Sequence, residues 1–161
     1  MKPLLLLASL ASLAVGGPAA ALDGPEETVR RIYAMEEWYA HSIGPDTLLA
    51  RDLIAAFRKD LATDEPSPAA DMDWRYGGGN SDFDVSEITI EPGVAVPSPR
   101  GQTWMDVTVR YGELDQARTV VWRMCLASKG WRVADVRGEY VPGAAWSVRQ
   151  DFGLRADRVK C

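Results

Sequence analysis

The sequence predicts an α+β fold, two N-terminal helices packed on a curved, mainly four-stranded antiparallel sheet. Three observations predict it. Apolar residues recur at helical spacing between Pro25 and Leu61, they alternate between Asp84 and Arg137, and the joints are rich in Gly, Pro and Ser. The first helix is expected over Pro25–Ala40. Pro25 suits a first helical position, Glu26 and Glu27 favour the positive helix end, and Val29, Ile32, Tyr33, Tyr39 and Ala40 share a face. A second helix is expected over Thr47–Leu61, with Asp46 as its N-cap and a stripe of Leu49, Leu53, Ile54, Phe57 and Leu61. Thr63–Ala70 is a connection, and residues 71–82 form a loop holding Gly77, Gly78 and Gly79 in a row. Strands are expected at Asp84–Ile90, Thr103–Tyr111, Ala117–Ala127 and Trp131–Arg137. The short joint Ser128-Lys129-Gly130 makes the last two a hairpin, and Ser147 caps one final helical turn.

Ahead of this domain, residues 1–21 read as a signal peptide. Lys2 is the positive n-region, Leu4–Val15 the apolar h-region, and Ala19-Ala20-Ala21 the small residues of a cleavage site. The run is shorter than the ~20 apolar residues that span a bilayer. No Cys lies near Ala21, so a lipid anchor is not expected. The expected product is a single exported domain, 22–161, in a bacterial periplasm or secreted. The chain has 18 basic and 23 acidic residues, net −5, and losing Lys2 makes the balance −6. The basic residues are scattered, which argues against nucleic acid as a partner.

Two cysteines, Cys125 and Cys161, in an exported chain suggest one disulfide that ties the last residue to a strand. The alternative is a buried free thiol at Cys125, with Cys161 exposed or pairing between chains.

Several residues carry a resemblance. The Tyr33 to Trp38-Tyr39 spacing on the first helix, the Asp-containing loop, and Trp131-Arg132-Val133-Ala134-Asp135-Val136 on the last long strand resemble the cone-shaped superfamily of nuclear transport factor two. Within it, the chain is most similar to a bacterial exported group of unknown function. The resemblance covers most of residues 25–152 and implies a conical sheet around a pocket closed by the first helix. It implies no activity, since the same cone hosts isomerases, dehydratases, binding modules and dimer scaffolds. The expected ligand-binding residues are Tyr33, Glu36 and Tyr39 on the first helix, Trp74 and Tyr76 on the loop, and Trp122, Trp131 and Asp135 on the strands.

Two carboxylates are the weak catalytic candidates. Glu36 lies two turns beyond Val29, inside the apolar stripe, where desolvation would raise its pKa as a general base requires. The alternative is a rotated or shortened helix that leaves Glu36 wet. Asp135 alternates with Trp131 and Val133, which places it on the same face, either at a pocket mouth or satisfied by backbone and arginine. A metal site is not expected. Asp71, Asp73 and Asp82 fit the first, third and last places of a calcium loop, but Arg75 and Tyr76 spoil it. His41, the sole histidine, has no partner ligands, and neither a nucleophile elbow nor a phosphate loop is present. No cofactor is implied.

Trp122 shares a face with Val120, Met124 and Leu126, whereas Trp104 points away from Met105, Val107 and Val109. Both sheet faces therefore carry large apolar groups, and the one without helices offers a homodimer or partner surface. Three function classes follow. The first is a non-enzymatic exported binding domain for a small apolar or amphipathic ligand or a protein partner. The second is an isomerase- or hydratase-type enzyme using Glu36 and Asp135. The third is a structural or inhibitory interaction domain.

Overall fold

A computed structural model describes residues 23–35, 48–65, 73–77, 85–98, 101–113, 116–139 and 142–161. Helix α1 is Pro25–Tyr33, with Pro25 in its first turn, acids at Glu26 and Glu27, and Arg30 and Arg31 in its last turn. Its inward face buries Thr28, Val29 and Ile32. Sequence periodicity extends this helix to Ala40, but Ala34 is its C-cap. The Met35 amide folds back onto the Ile32 carbonyl at 3.2 Å, and the Met35 carbonyl accepts from Arg75 Nη1 at 2.7 Å. A guanidinium therefore takes the place of a further helical turn. Glu36, Tyr39 and His41 lie outside the described residues.

Helix α2 is Arg51–Leu61 rather than Thr47–Leu61, and its N-cap is Ala50. Residues 48–50 are instead used as an extended edge. The Ala50 amide donates to the Val133 carbonyl at 2.8 Å, the Val133 amide donates to Leu48 at 2.7 Å, and Leu49 forms a parallel bridge with Val133. Leu49 is still buried, but from a strand-like position, and Leu61 is exposed. The stripe of α2 is Leu53, Ile54 and Phe57.

Among the described residues the sheet has six strands rather than four: β1 (Val85–Ile90), β2 (Val94–Val96), β3 (Trp104–Glu113), β4 (Gln116–Ala127), β5 (Gly130–Glu139) and β6 (Ala145–Ser147). Their order is β1-β3-β4-β5-β6, with β2 also paired to β3, and every ladder is antiparallel. Strands β2 and β6 have three residues each, too few for alternation to mark them. The β4–β5 hairpin closes on the pair Ala127–Gly130. Ser147 caps the single turn α3 (Val148–Asp151), accepting from the Gln150 amide.

Cross-strand pairs define two faces. Val107, Trp122 and Val136 lie in one row and Val109 and Val120 in the next, all fully or nearly fully buried. The helices pack on this face, where the Tyr33 ring meets Trp122 edge-on at 5.9 Å. Phe57 contacts Trp74 and Phe152, which extends the same core through α2 and the C-terminal segment. The other face is charged at its centre. Asp106 takes both ends of the Arg123 guanidinium at 2.9 and 3.0 Å and also bonds Arg137. Trp104 lies on that face but is only 3% exposed, with Arg123 stacked over its ring and its Nε1 donating to Gln102. It therefore contributes little apolar surface to a partner.

Cys125 and Cys161 lie at disulfide distance, with Cα atoms 5.9 Å apart. The tail they anchor is packed: Val159 is buried and the Lys160 carbonyl accepts from the Arg51 amide at 2.8 Å. No helix among the described residues is long and apolar enough to cross a membrane.

Candidate functional site

Three of the expected ligand-binding residues meet in one cluster, and a fourth, Trp74, stands two residues before one of them. Tyr33 on α1 touches Trp122 on β4 and Tyr76 in the short turn Trp74–Tyr76, and Tyr76 in turn touches Tyr111 on β3. Trp74 lies beside them, buried against Phe57 and Phe152. Two polar atoms of this cluster, the Tyr33 hydroxyl and Trp122 Nε1, are bonded. The Tyr33 hydroxyl donates to the Arg75 carbonyl and accepts from Trp122 Nε1 at 3.4 Å. Burial pushes the Tyr33 and Tyr111 hydroxyls far above the usual phenol range, so they remain protonated donors.

Asp73 and Arg75 fasten this cluster. Asp73 caps the turn by accepting from the Arg75 amide at 3.0 Å, and it clamps the Arg75 side chain with both oxygens, the shortest contact being 2.7 Å. The remaining Arg75 nitrogen reaches the Met35 carbonyl. One residue thus ties the loop to the end of α1. Gly77 then turns into the left-handed region at φ 65°, and a Cβ there would lie 3.1 Å from the Trp146 ring. The sequence marks Trp74 and Tyr76 for this site but not Arg75, whose contact with the Met35 carbonyl spans 40 residues and leaves no local pattern.

Asp135 is placed differently from its alternation. Two β5 residues, Val133 and Asp135, pair with the adjacent Met124 and Arg123 of β4, so Ala134 is an extra residue, a β-bulge. The bulge offsets the alternation by one. Val136 rather than Asp135 falls opposite Trp122, and Asp135 leaves the face of Trp131 and Val133. It is 6% exposed and accepts from the Ser147 hydroxyl at 2.9 and 3.0 Å and from the Arg149 amide at 3.0 Å. These contacts hold α3 on the sheet.

Burial raises the Asp135 carboxyl above its ordinary value, against the lowering by the Arg149 amide, the Ser147 hydroxyl and the guanidiniums of Arg149 and Arg137. A carboxyl raised on folding favours the fold while protonated, and that share is lost as pH rises through the folded pKa. Asp135→Asn is expected to cost about 1–3 kcal/mol at neutral pH by weakening two donors' acceptor. Relative to this variant, the wild type should gain stability as pH falls from neutral toward the carboxylate range. Urea midpoints of both proteins across that range test it; a difference that does not change with pH refutes the raised carboxyl.

The buried acids among the described residues are Asp73, Glu113 and Asp135. Each faces a donor: Arg75, Arg118 at 2.8 Å, and Ser147 with Arg149. No group of three potential metal ligands occurs among the described residues.

A cleft opens on the charged face where β4 begins and β5 ends. Its volume is about 430 Å³, and its walls include Thr119, Val121, Arg137, Glu139, Ala145 and Trp146. Trp146 can lie along β5 because Gly138 is its partner; a Cβ there would sit 3.0 Å from both the indole and the Thr119 carbonyl. The cleft combines an apolar floor with a guanidinium held at one side by Asp106. None of its residues except Trp146 is aromatic, and no sequence motif joins them. The remaining expected residue, Trp131, borders a separate small cleft at the other end of the β4–β5 hairpin. Comparison of the chain with protein-family models, curated proteins and solved structures finds no match.

Proposed function

We propose that this is an exported, non-enzymatic binding domain of the cone-shaped kind, which holds a small amphipathic ligand in the cleft beside Trp146. The observation that carries the reading is the cleft itself. A volume of about 430 Å³ lies within the range of small-molecule sites, and apolar Val121, Pro142, Ala145 and Trp146 beside charged Arg118, Arg137 and Glu139 suit a ligand with both an apolar and a polar part. The Tyr33–Trp122 cluster supports the cone assignment, since it seats α1 against the sheet as that resemblance implies. Export after Ala21 is supported by the leader pattern and by the Cys125–Cys161 pair, which suits an oxidising compartment. Among the described residues, the buried acids Asp73, Glu113 and Asp135 are each tied to a structural donor, which favours binding over proton-transfer chemistry at those positions.

Thermal denaturation with a panel of small amphipathic molecules tests the proposal. A ligand at a hundred times its Kd stabilises by about 2.7 kcal/mol, a readily measured rise in midpoint. Ala145→Trp, a change at an exposed strand position, fills the cleft while the free protein stays within about 0.5 kcal/mol of wild type. The shift should vanish in that variant. Absence of any shift across the panel, or an equal shift in Ala145→Trp, would overturn the reading.

A further inference from the structure

We propose that the small cleft between the start of α1 and the β4–β5 turn binds a small oxyanion, phosphate or sulfate. The site is separate from the ligand cleft and lies at the opposite end of the β4–β5 hairpin. It brings together Arg31 of α1, Lys129 of the turn and Arg132 of β5, with Thr28, Trp131 and Asp23 completing the wall. Three cations, one from α1 and two from the β4–β5 hairpin, converge in a protein whose net charge is −5.

Elsewhere Arg75, Arg118, Arg123 and Arg149 each hold an acid within 2.9 Å. Around this cleft, no ion pair joins Arg31, Lys129 or Arg132 to an acid among the described residues. The Arg132 guanidinium donates to the Trp131 carbonyl at 3.0 Å, which fixes it beside the cleft with other N–H groups to spare. Converging cations that keep their donors are the recognition chemistry of an oxyanion, and arginine presents it a planar fork.

Size selects the anion. The cleft has a volume of about 90 Å³, the space of a few water molecules. One tetrahedral group fits that space and a ring system does not. Asp23, on the rim, opposes the anion and supplies a test of opposite sign.

Isothermal titration of the purified protein with sodium phosphate and with sodium sulfate, against sodium chloride at equal ionic strength, tests the site. Saturable binding above the chloride control is expected. Arg31→Gln and Lys129→Gln are exposed changes that leave the fold intact, and each should weaken phosphate binding about threefold, both together about tenfold. Asp23→Asn should tighten it by a similar factor. A phosphate monoester that binds as tightly as the free ion assigns the site to an esterified group, and one that binds at least about tenfold more weakly assigns it to the free ion; both results support an oxyanion site. No heat above the chloride control overturns the proposal, as does binding that neither the glutamine variants nor Asp23→Asn changes.

Discussion

Cys161→Ser is expected to lower stability by about 3–4 kcal/mol and the thermal midpoint by roughly 10 °C. The two cysteines are 36 positions apart, so their bond removes the closure entropy of a long loop from the unfolded chain. Cys161 is the better probe of the pair. Cys125 is fully buried in β4, so a hydroxyl there would add its own desolvation cost. Loss of the bond should also loosen Val159 and the contact between Lys160 and Arg51, which raises hydrogen exchange at the Arg51 amide. Wild type in reductant should melt with the variant. Equal midpoints for oxidised wild type and Cys161→Ser would refute the staple.

Arg149→Ala is expected to cost about 3–5 kcal/mol, a large share of the 5–15 kcal/mol that holds a typical domain. Arg149 is 2% exposed and joins four parts of the chain. Its Nη2 donates to Asp52 of α2 at 2.8 Å and to the Arg155 carbonyl at 2.9 Å, its Nη1 donates to Ala134 at the bulge, and its amide meets Asp135. Its Nε has no partner among the described residues, so desolvation already offsets part of what the side chain contributes. Truncation leaves the Asp52 carboxylate and two carbonyls short of a donor and opens a void. Replacing both charged partners removes that imbalance. Asp52→Asn combined with Arg149→Met should therefore be less destabilised than the sum of the single changes, by about 1–3 kcal/mol. Denaturant midpoints of the four proteins measure this coupling, and strict additivity would show that the pair does not act as a unit.

Most of the layout was legible in the residues. The alternation of β3, β4 and β5 placed each of them within a few residues, because ten or more positions of period two leave little ambiguity. Ends were less legible. The first helix stops at Tyr33, where an arginine 40 residues from Met35 takes the Met35 carbonyl, and the second starts late because Leu49 is used by β5. Neither partner is adjacent in sequence. Asp135 shows the same limit at one residue. Alternation put it with Trp131, and the inserted Ala134 turned it to the other face, where Ser147 and Arg149 meet it.

The candidate clefts were less legible than the core. Aromatic residues marked the packed cluster around Tyr33 and Trp122, since large rings at strand and helix spacing are buried wherever the chain folds. Apart from Trp146, the wall of the larger cleft is made of small, aliphatic and charged residues such as Thr119, Val121, Arg137 and Glu139, types that occur on any surface. Arg31, Lys129 and Arg132 read as scattered charge along the chain.

The sequence by itself determined the leader pattern, the α+β order, the presence of just two cysteines and the apolar stripes, because each depends on residue type and local period. Tertiary structure decided where the helices end, which face Asp135 takes, and where cations and apolar walls converge. Those depend on contacts between segments far apart in the chain, and local periodicity carries no record of them.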